Sequence, residues 1–318
     1  MKFIIVSPRQ RSGGPIVLHL LCKLLNEMGH DARIFYFYGE NEKIKYNDKV
    51  FWNNYKTFFI KDFIKDVLTR IPVLRNYMKR FAGYYYKPID GTKRQITPHF
   101  NKDKTIVIYP EIVYGNFLKA KNVVRYLLYY NRYKNEAEAY DKNDMFVCYR
   151  EIFNDYDLNP ECKKMTLLNF DSKLYRQTNF GEREGTCYIV RKGRNRPDLP
   201  EEFDGIVVDT LDEAAKVKVF NQCKYCISYD MQTFYSTVAA ICGCIVIQKT
   251  EEGKTRSDYL SDSDVKYGVA YGDSEEELKY ANETRHLIIE QIQREQETNI
   301  VEVKRFVQYC QDYFGSRS

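Results

Sequence analysis

The segment 1–38 constrains the fold more than any other part of the chain. Lys2–Ser7 is a short β-branched run, as in a strand buried in a parallel sheet. Gly13-Gly14-Pro15 follows, and Pro15 suits the first position of a helix. Ile16, Leu20, Leu24 and Met28 then recur at helical spacing, and Gly29 ends the helix. Ala32–Tyr38 is the next strand. A strand that returns after one helix pairs in parallel with the first, which begins a doubly wound sheet.

The rhythm lapses between Glu40 and Phe100. Phe58–Arg70 and Val73–Ala82 have the pattern of two amphipathic helices separated by Pro72. Strands resume at Lys104–Tyr109, Val123–Tyr130 and Met145–Tyr149. Residues 150–180 hold no strong helix and suit a passage between domains. A second α/β series starts at Thr186. It has strands at Cys187–Val190, Gly205–Val208, Tyr225–Ser228 and Ile245–Ile247, and a helix at Thr233–Cys242. Thr210-Leu211-Asp212-Glu213 and Ser274-Glu275-Glu276-Glu277 are capping boxes. The last helix carries Ile300, Val303, Phe306, Val307, Cys310 and Phe314 as one apolar stripe. The expected architecture is α/β: two Rossmann-like, doubly wound domains facing across a cleft, with a basic helical insert in the first. The N-terminal domain spans 1–160, with the insert at about 43–100. The C-terminal domain spans 165–298, and 299–318 is a helix returning to the first domain.

Composition narrows the function. The chain has 318 residues, with 49 Lys+Arg against 44 Asp+Glu, a net charge of +5. That is too mild for a chain devoted to nucleic acid, and no recognition motif accompanies it. The excess is local: Lys56, Lys61, Lys65, Arg70, Arg75, Lys79, Arg80 and Lys87 face only Asp62 and Asp66 within 51–87. With Phe58, Phe59, Phe63, Ile64, Leu68 and Leu74 among them, this segment either packs on the first sheet or lies on an anionic membrane. No run approaches the roughly 20 apolar residues of a membrane span. The N-terminal apolar run is too short for a signal-peptide core, and nine Cys, an odd number, favour reduced thiols. The expected location is cytoplasmic, with peripheral membrane contact as an option.

Ligands of open α/β sheets bind at the carboxyl ends of strands, so the loops there hold the candidates. Gly13 and Gly14 let a ligand approach a helix N-terminus, or simply make a tight turn. A third glycine is absent, which disfavours a nicotinamide dinucleotide. Ser228-Tyr229-Asp230-Met231-Gln232-Thr233-Phe234-Tyr235-Ser236 leaves a buried strand and enters a helix. Thr233 is placed to cap that helix, with Tyr235 and Ser236 in its first turn, an arrangement suited to an anion. Lys192 and Arg194, past another strand, supply counter-charge for a diphosphate, and Lys254 adds a cation on a later loop. Each also has a plainer reading as an ordinary cap or a solvated loop. Cys223-x2-Cys226 and Cys242-x-Cys244 invite zinc, but the second spacing is short and a helix fills the gap, so no metal site is expected.

Ser12-Gly13-Gly14 with its long helix and Gly29-His30, and the stretch Ser228–Ile247, resemble GT-B glycosyltransferases. Tyr109-Pro110-Glu111-Ile112-Val113-Tyr114-Gly115-Asn116, followed by Val123-Val124-Arg125-Tyr126-Leu127-Leu128, is similar to bacterial capsular and surface-polysaccharide members. The resemblance implies a nucleotide-diphosphate sugar held by the C-terminal half as donor substrate, with no resident cofactor. It also implies a glycan or lipid-linked acceptor held by the N-terminal half. In retaining members two Glu lie eight positions apart. Asp230 matches the first, and Val238 stands at the second. Asp230 therefore either touches the donor sugar or only starts the turn.

Glycosyl transfer needs its leaving diphosphate stabilised and its acceptor hydroxyl oriented or deprotonated. Lys192, Arg194, Thr233 and Ser236 suit the first task without metal. Glu111, at a strand end, suits the second; otherwise it is a loop acid paired with Lys119 or Lys121. His19 is the alternative base, although it sits inside the apolar repeat of its helix. The expected activity is a hexosyl- or deoxyhexosyltransferase. The alternative is a non-catalytic nucleotide-sugar or glycan-binding protein of a polysaccharide assembly system.

Overall fold

The computed structural model describes residues 1–8, 12–37, 92–95, 97–261 and 264–315, and positions 64, 71 and 73. The expected helical insert, with its basic segment 51–87, lies almost wholly outside the described residues. The chain divides into two compact units: Met1–Asn169 with Thr298–Ser318, and Phe170–Glu297.

The first unit is built on an all-parallel sheet of six strands. They are β1 (Lys2–Pro8), β2 (Asp31–Phe37), β3 (Lys93–Arg94), β4 (Thr105–Pro110), β5 (Asn122–Leu127) and β6 (Met145–Cys148), in the order β3-β2-β1-β4-β5-β6. The chain winds outward from β1 to β3, then returns to lay β4 beside β1. The gap between β1 and β4 is thus a topological switch point. All six residues of β4 are buried, because both faces of the sheet are covered. Alternation along β1 divides the core. Phe3 and Ile5 meet Leu18, Leu21 and Leu25 of α1 (Gly13–Glu27) together with Phe306 and Cys310. Ile4 and Val6 meet Val107, Tyr109 and Phe117 on the other face. Each such buried side chain contributes about 1.5–3 kcal/mol relative to exposure.

The second unit is a five-stranded parallel sheet. Its strands are β7 (Thr186–Ile189), β8 (Ile206–Val207), β9 (Tyr225–Ser228), β10 (Ile245–Gln248) and β11 (Val269–Tyr271), in the order β11-β10-β9-β7-β8. Its switch point falls between β7 and β9. Its helices are α2 (Glu213–Gln222), α3 (Tyr235–Ile241) and α4 (Glu275–Thr284). Ser274 caps α4 by accepting the Glu277 N–H at 3.3 Å.

Four local expectations need correction. The cap of α2 is Asp212, which accepts the Ala215 N–H at 2.8 Å, and not Thr210. Helix α3 begins at Tyr235, two residues later than expected, because Thr233 still belongs to the turn. The last helix does not start near 299: α5 runs unbroken from Ile288 to Gly315. Ile300 is 38% exposed and lies off its buried stripe of Val303, Phe306, Val307 and Cys310. No described helix is long and apolar enough to cross a membrane.

Candidate functional site

The two loops that flank the β7/β9 switch point touch. β7 runs into a tight turn, Arg191–Gly193, and β9 runs into Tyr229 and Asp230. A β-carbon on Gly193 would lie 2.4 Å from the Tyr229 carbonyl oxygen, so only glycine allows this approach. Arg191 adopts φ +24°, an uncommon backbone for a residue with a side chain. Asp209, just beyond β8, holds it there. Its carboxylate, with the side chain 3% exposed, accepts the backbone N–H groups of Val190 (3.3 Å) and Arg191 (2.6 Å). Sequence reasoning missed Asp209. Its signal was an acid placed directly after the apolar run Gly205–Val208, ahead of the helix cap. Lys192 and Arg194 stand out from this turn and are exposed, and the Arg194 guanidinium lies 3.9 Å from Asp209.

Across the switch point, Asp230 is buried and starts a turn. Its Oδ1 accepts the Gln232 N–H at 3.3 Å, while its carbonyl accepts the Ser228 hydroxyl at 3.1 Å and the Thr233 N–H at 3.3 Å. Thr233 is not the helix cap, since Phe234 occupies that position. Its hydroxyl oxygen accepts the Tyr235 N–H at 3.2 Å instead. Ser236 is turned fully inward, donating to the Thr233 carbonyl at 3.0 Å, with the Gln248 amide 3.5 Å away. Ser236 is thus an internal brace, contrary to the expectation that its hydroxyl faces an anion. Lys266 donates to the Thr233 carbonyl at 3.2 Å. Val238 is fully buried in α3.

Tyr235 joins the two loops to α2. The Arg191 guanidinium lies 5.8 Å over its ring and the Lys216 ammonium 4.8 Å. Its hydroxyl donates to Glu213 Oε1 at 2.6 Å, and Tyr175 donates to Glu213 Oε2 at 2.5 Å. Glu213, read from sequence only as part of a cap, is the hub of this cluster. Lys254 follows β10, bonded to Glu251 and 5.8 Å over the Tyr259 ring. The Tyr259 carbonyl accepts the Gln232 amide at 2.9 Å, which links Lys254 to the Asp230 turn.

The first unit gathers a second group at its β1/β4 switch point. Gly13 and Gly14 open α1, and a β-carbon on Gly14 would sit 3.3 Å from Leu128 Cδ1. The Leu128 N–H in turn donates to Glu111 Oε2 at 3.1 Å. Glu111 is therefore at the carboxyl end of β4, buried, with its carboxylate reaching across to the end of β5. Lys121 pairs with Asp103 at 3.3 Å rather than with Glu111. His19 is apart from this group, fully buried in the core. Its Nδ1 lies 2.5 Å from the Pro15 carbonyl and its Nε2 2.8 Å from the Tyr36 hydroxyl. A carbonyl only accepts, so Nδ1 carries the proton and Nε2 accepts from Tyr36. Burial lowers the His19 pKa and keeps the ring neutral.

Among the described residues no group of three or more His, Cys, Asp or Glu is arranged to hold a metal ion. Cys223, Cys226, Cys242 and Cys244 are buried thiols, and Cys244 donates to the Phe220 carbonyl at 3.0 Å. Burial pushes the Cys242 thiol up to about 12.

No family model matches the chain, and no curated protein matches its sequence. Among solved structures it is similar to a sucrose-phosphate synthase from Thermosynechococcus elongatus, at 10% identity, over 98% of this chain and 94% of that one, with a TM-score of 0.40. It is also similar to the glycosyltransferase VinC in complex with dTDP, at 11% identity, over 99% of this chain and all of that one, with a TM-score of 0.35.

Proposed function

We propose that the chain is a glycosyltransferase. In this reading it moves a hexosyl or deoxyhexosyl group from a nucleotide-diphosphate donor to a surface-polysaccharide or lipid-linked acceptor. The observation that carries it is the contact of the Arg191–Arg194 and Tyr229–Ser236 loops at the β7/β9 switch point, where open α/β sheets take their ligands. Lys192 and Arg194 supply exposed cations for the leaving diphosphate, and Thr233 supplies a hydroxyl from the facing turn. Lys254 is a further cation of the same loop set. Tyr235 acts through its contact with Arg191, and Asp230 by shaping the turn. The second unit is the donor half, and metal is not required.

The first unit is then the acceptor half, with Gly13, Gly14 and Glu111 at its own switch point. Glu111 is the group proposed to orient or deprotonate the acceptor hydroxyl, at the moment its bond to Leu128 opens. His19, with both ring nitrogens engaged in the core, serves as a pin between α1 and β2. Contact of segment 51–87 with an anionic membrane, from the cytoplasmic side, is proposed as the alternative to its packing on the first sheet. Charge reversal of Lys61, Lys65, Lys79 and Arg80 is expected to abolish co-sedimentation with phosphatidylserine liposomes.

The test is thermal shift with a panel of nucleoside diphosphates. One of them is expected to raise Tm, and Lys192→Ala with Arg194→Ala to weaken its binding at least tenfold. No shift with any nucleotide would sink the proposal. The non-catalytic alternative draws support from Val238, buried where retaining enzymes place a second Glu. Hydrolysis of a nucleotide sugar, abolished by Thr233→Ala with Lys192→Ala, would exclude that alternative.

A further inference from the structure

β6 ends at Cys148, and the chain then makes a turn (Glu151–Phe153) and a loop before returning to the strand it left. Lys164 bridges to Cys148 in parallel. The Cys148 N–H donates to the Lys163 carbonyl, and the Met165 N–H donates to the Cys148 carbonyl, both at 2.9 Å. This return sets Cys162 over Cys148, with their sulfurs 3.9 Å apart. Cys148 is fully buried and Cys162 half-buried, so Cys162 is the member of the pair nearer to solvent.

The loop holds Cys162 firmly. Its backbone adopts φ +49°, the left-handed region that side chains other than Asn and Asp seldom enter. Asn159 fixes that geometry: its amide donates to Asn154 Oδ1 (2.8 Å) and to the Lys163 carbonyl (3.0 Å), and its oxygen accepts the Lys163 N–H (3.0 Å). Disulfide sulfurs sit about 2.05 Å apart. Closing the gap from 3.9 Å needs rotation of the two side chains and a small shift of the 154–162 loop. The remaining cysteines are all buried.

We propose that Cys148 and Cys162 form a reversible disulfide on exposure to hydrogen peroxide, fastening the 149–161 loop to the end of β6. The Cys162 thiolate attacks the peroxide O–O bond, taking one oxygen as a sulfenic acid while the other leaves as water after protonation. The Cys148 sulfur then attacks the Cys162 sulfur. An S–S bond forms, the S–O bond breaks, and a second water leaves. Two thiols give up two protons and two electrons, and one peroxide becomes two waters. Cys162 is the half-buried member of the pair, which makes it the sulfur that meets the oxidant, and the buried Cys148 is the one that resolves it. The link would tighten the stretch by which the chain leaves the first unit. Thr166 donates there to the Tyr149 carbonyl at 2.6 Å, and Asn299 donates to the Leu168 carbonyl at 2.8 Å.

The full chain, reduced and then exposed to hydrogen peroxide, is alkylated, digested and mapped by mass spectrometry. The expected product is one linked peptide pair containing Cys148 and Cys162, separated by dithiothreitol, with free thiols falling by two from the nine of the reduced chain. The oxidised protein is expected to melt higher than the reduced one. Cys162→Ser, at a half-buried position, is expected to fold and to lose both the linked pair and the shift. Recovery of Cys148 and Cys162 as separately alkylated thiols, or of Cys162 as sulfinic acid beside a free Cys148, would overturn the proposal. That peptide map of the unmodified chain decides the matter even if a variant fails to fold.

Discussion

His19 shows how one buried residue ties stability to pH. Its folded pKa lies below the usual 6.5, because burial disfavours the imidazolium. Below pH 6.5 the unfolded chain therefore binds a proton that the folded chain refuses, so stability falls as acidity rises. The contribution is fully present above pH 6.5 and is lost as pH drops toward the folded pKa. His19→Gln, which does not titrate, is expected to flatten the loss of stability between pH 6.5 and 5 in urea titrations. An unchanged slope would mean that His19 binds protons alike in the folded and unfolded chains and that burial does not hold it neutral. Arg125 is the other buried group with large consequences. It is 1% exposed, bonds Asp144 at 2.7 Å, donates to the Gly115 carbonyl at 3.0 Å, and has its guanidinium over the rings of Tyr109 (4.9 Å) and Tyr140 (5.2 Å). Desolvation outweighs the guanidinium and raises the Asp144 pKa above its ordinary value. Arg125→Met is expected to cost about 3–5 kcal/mol by stranding that carboxylate, whereas Arg125→Met with Asp144→Leu restores much of the loss. Equal losses in the single and double variants would show that packing, not charge, governs the site. Arg125 also braces the carbonyls of Val113 and Gly115, in the loop that begins with Glu111, so it helps fix where Glu111 can reach.

At the scale of elements, glycine decides which loops can meet. A β-carbon on Gly193 would collide with backbone, the Tyr229 carbonyl at 2.4 Å, whereas one on Gly14 would meet only the tip of Leu128 at 3.3 Å. Gly193→Ala is thus expected to push the Arg191–Arg194 turn off the switch point. It should weaken binding of the stabilising nucleoside diphosphate at least tenfold, while Gly14→Ala leaves binding unchanged. Equal effects would detach the Arg191 turn from the site. The buried strands were legible in sequence because they are continuous apolar runs: Tyr225–Ser228 is observed at its expected bounds, and Thr105–Pro110 is shifted by one residue. β3 and β11 were not legible. β3 is two charged residues and β11 only three, too little to stand out from their surroundings, whereas the equally short β8 lies in a longer apolar run. The loops beside them were legible as positions but not as contacts. Spacing put Lys192, Arg194, Asp230 and Thr233 at strand ends, where they are found. It could not show that Asp209 pins the Arg191 turn or that Glu213 gathers Tyr175 and Tyr235, since those are bonds between residues distant along the chain, nor that Ser236 turns inward to the Thr233 carbonyl, since spacing does not fix a side chain's direction.

For the whole molecule, the telling element is α5. Its first part belongs to Phe170–Glu297, and from Thr298 it belongs to the first unit. There Val303, Phe306, Val307 and Cys310 join Phe3, Ile5, Leu21 and Leu25 in one cluster, and Asn299 exchanges two bonds with Leu168, at 2.9 and 2.8 Å. The first unit is therefore completed by the last residues of the chain, which gives its folding a long-range requirement that the second unit lacks. Phe306, fully buried with its ring 6.2 Å from Phe3, is the test position. Phe306→Ala opens a cavity and is expected to cost about 3–5 kcal/mol. Hydrogen exchange should locate that loss: protection falls at Phe3–Val6 and Ile106–Ile108 of the first sheet, while Cys187–Ile189 and Cys226–Ser228 of the second keep theirs. If protection falls equally in both sheets, the two units unfold as a single cooperative body, and the division of α5 at Thr298 carries no energetic meaning.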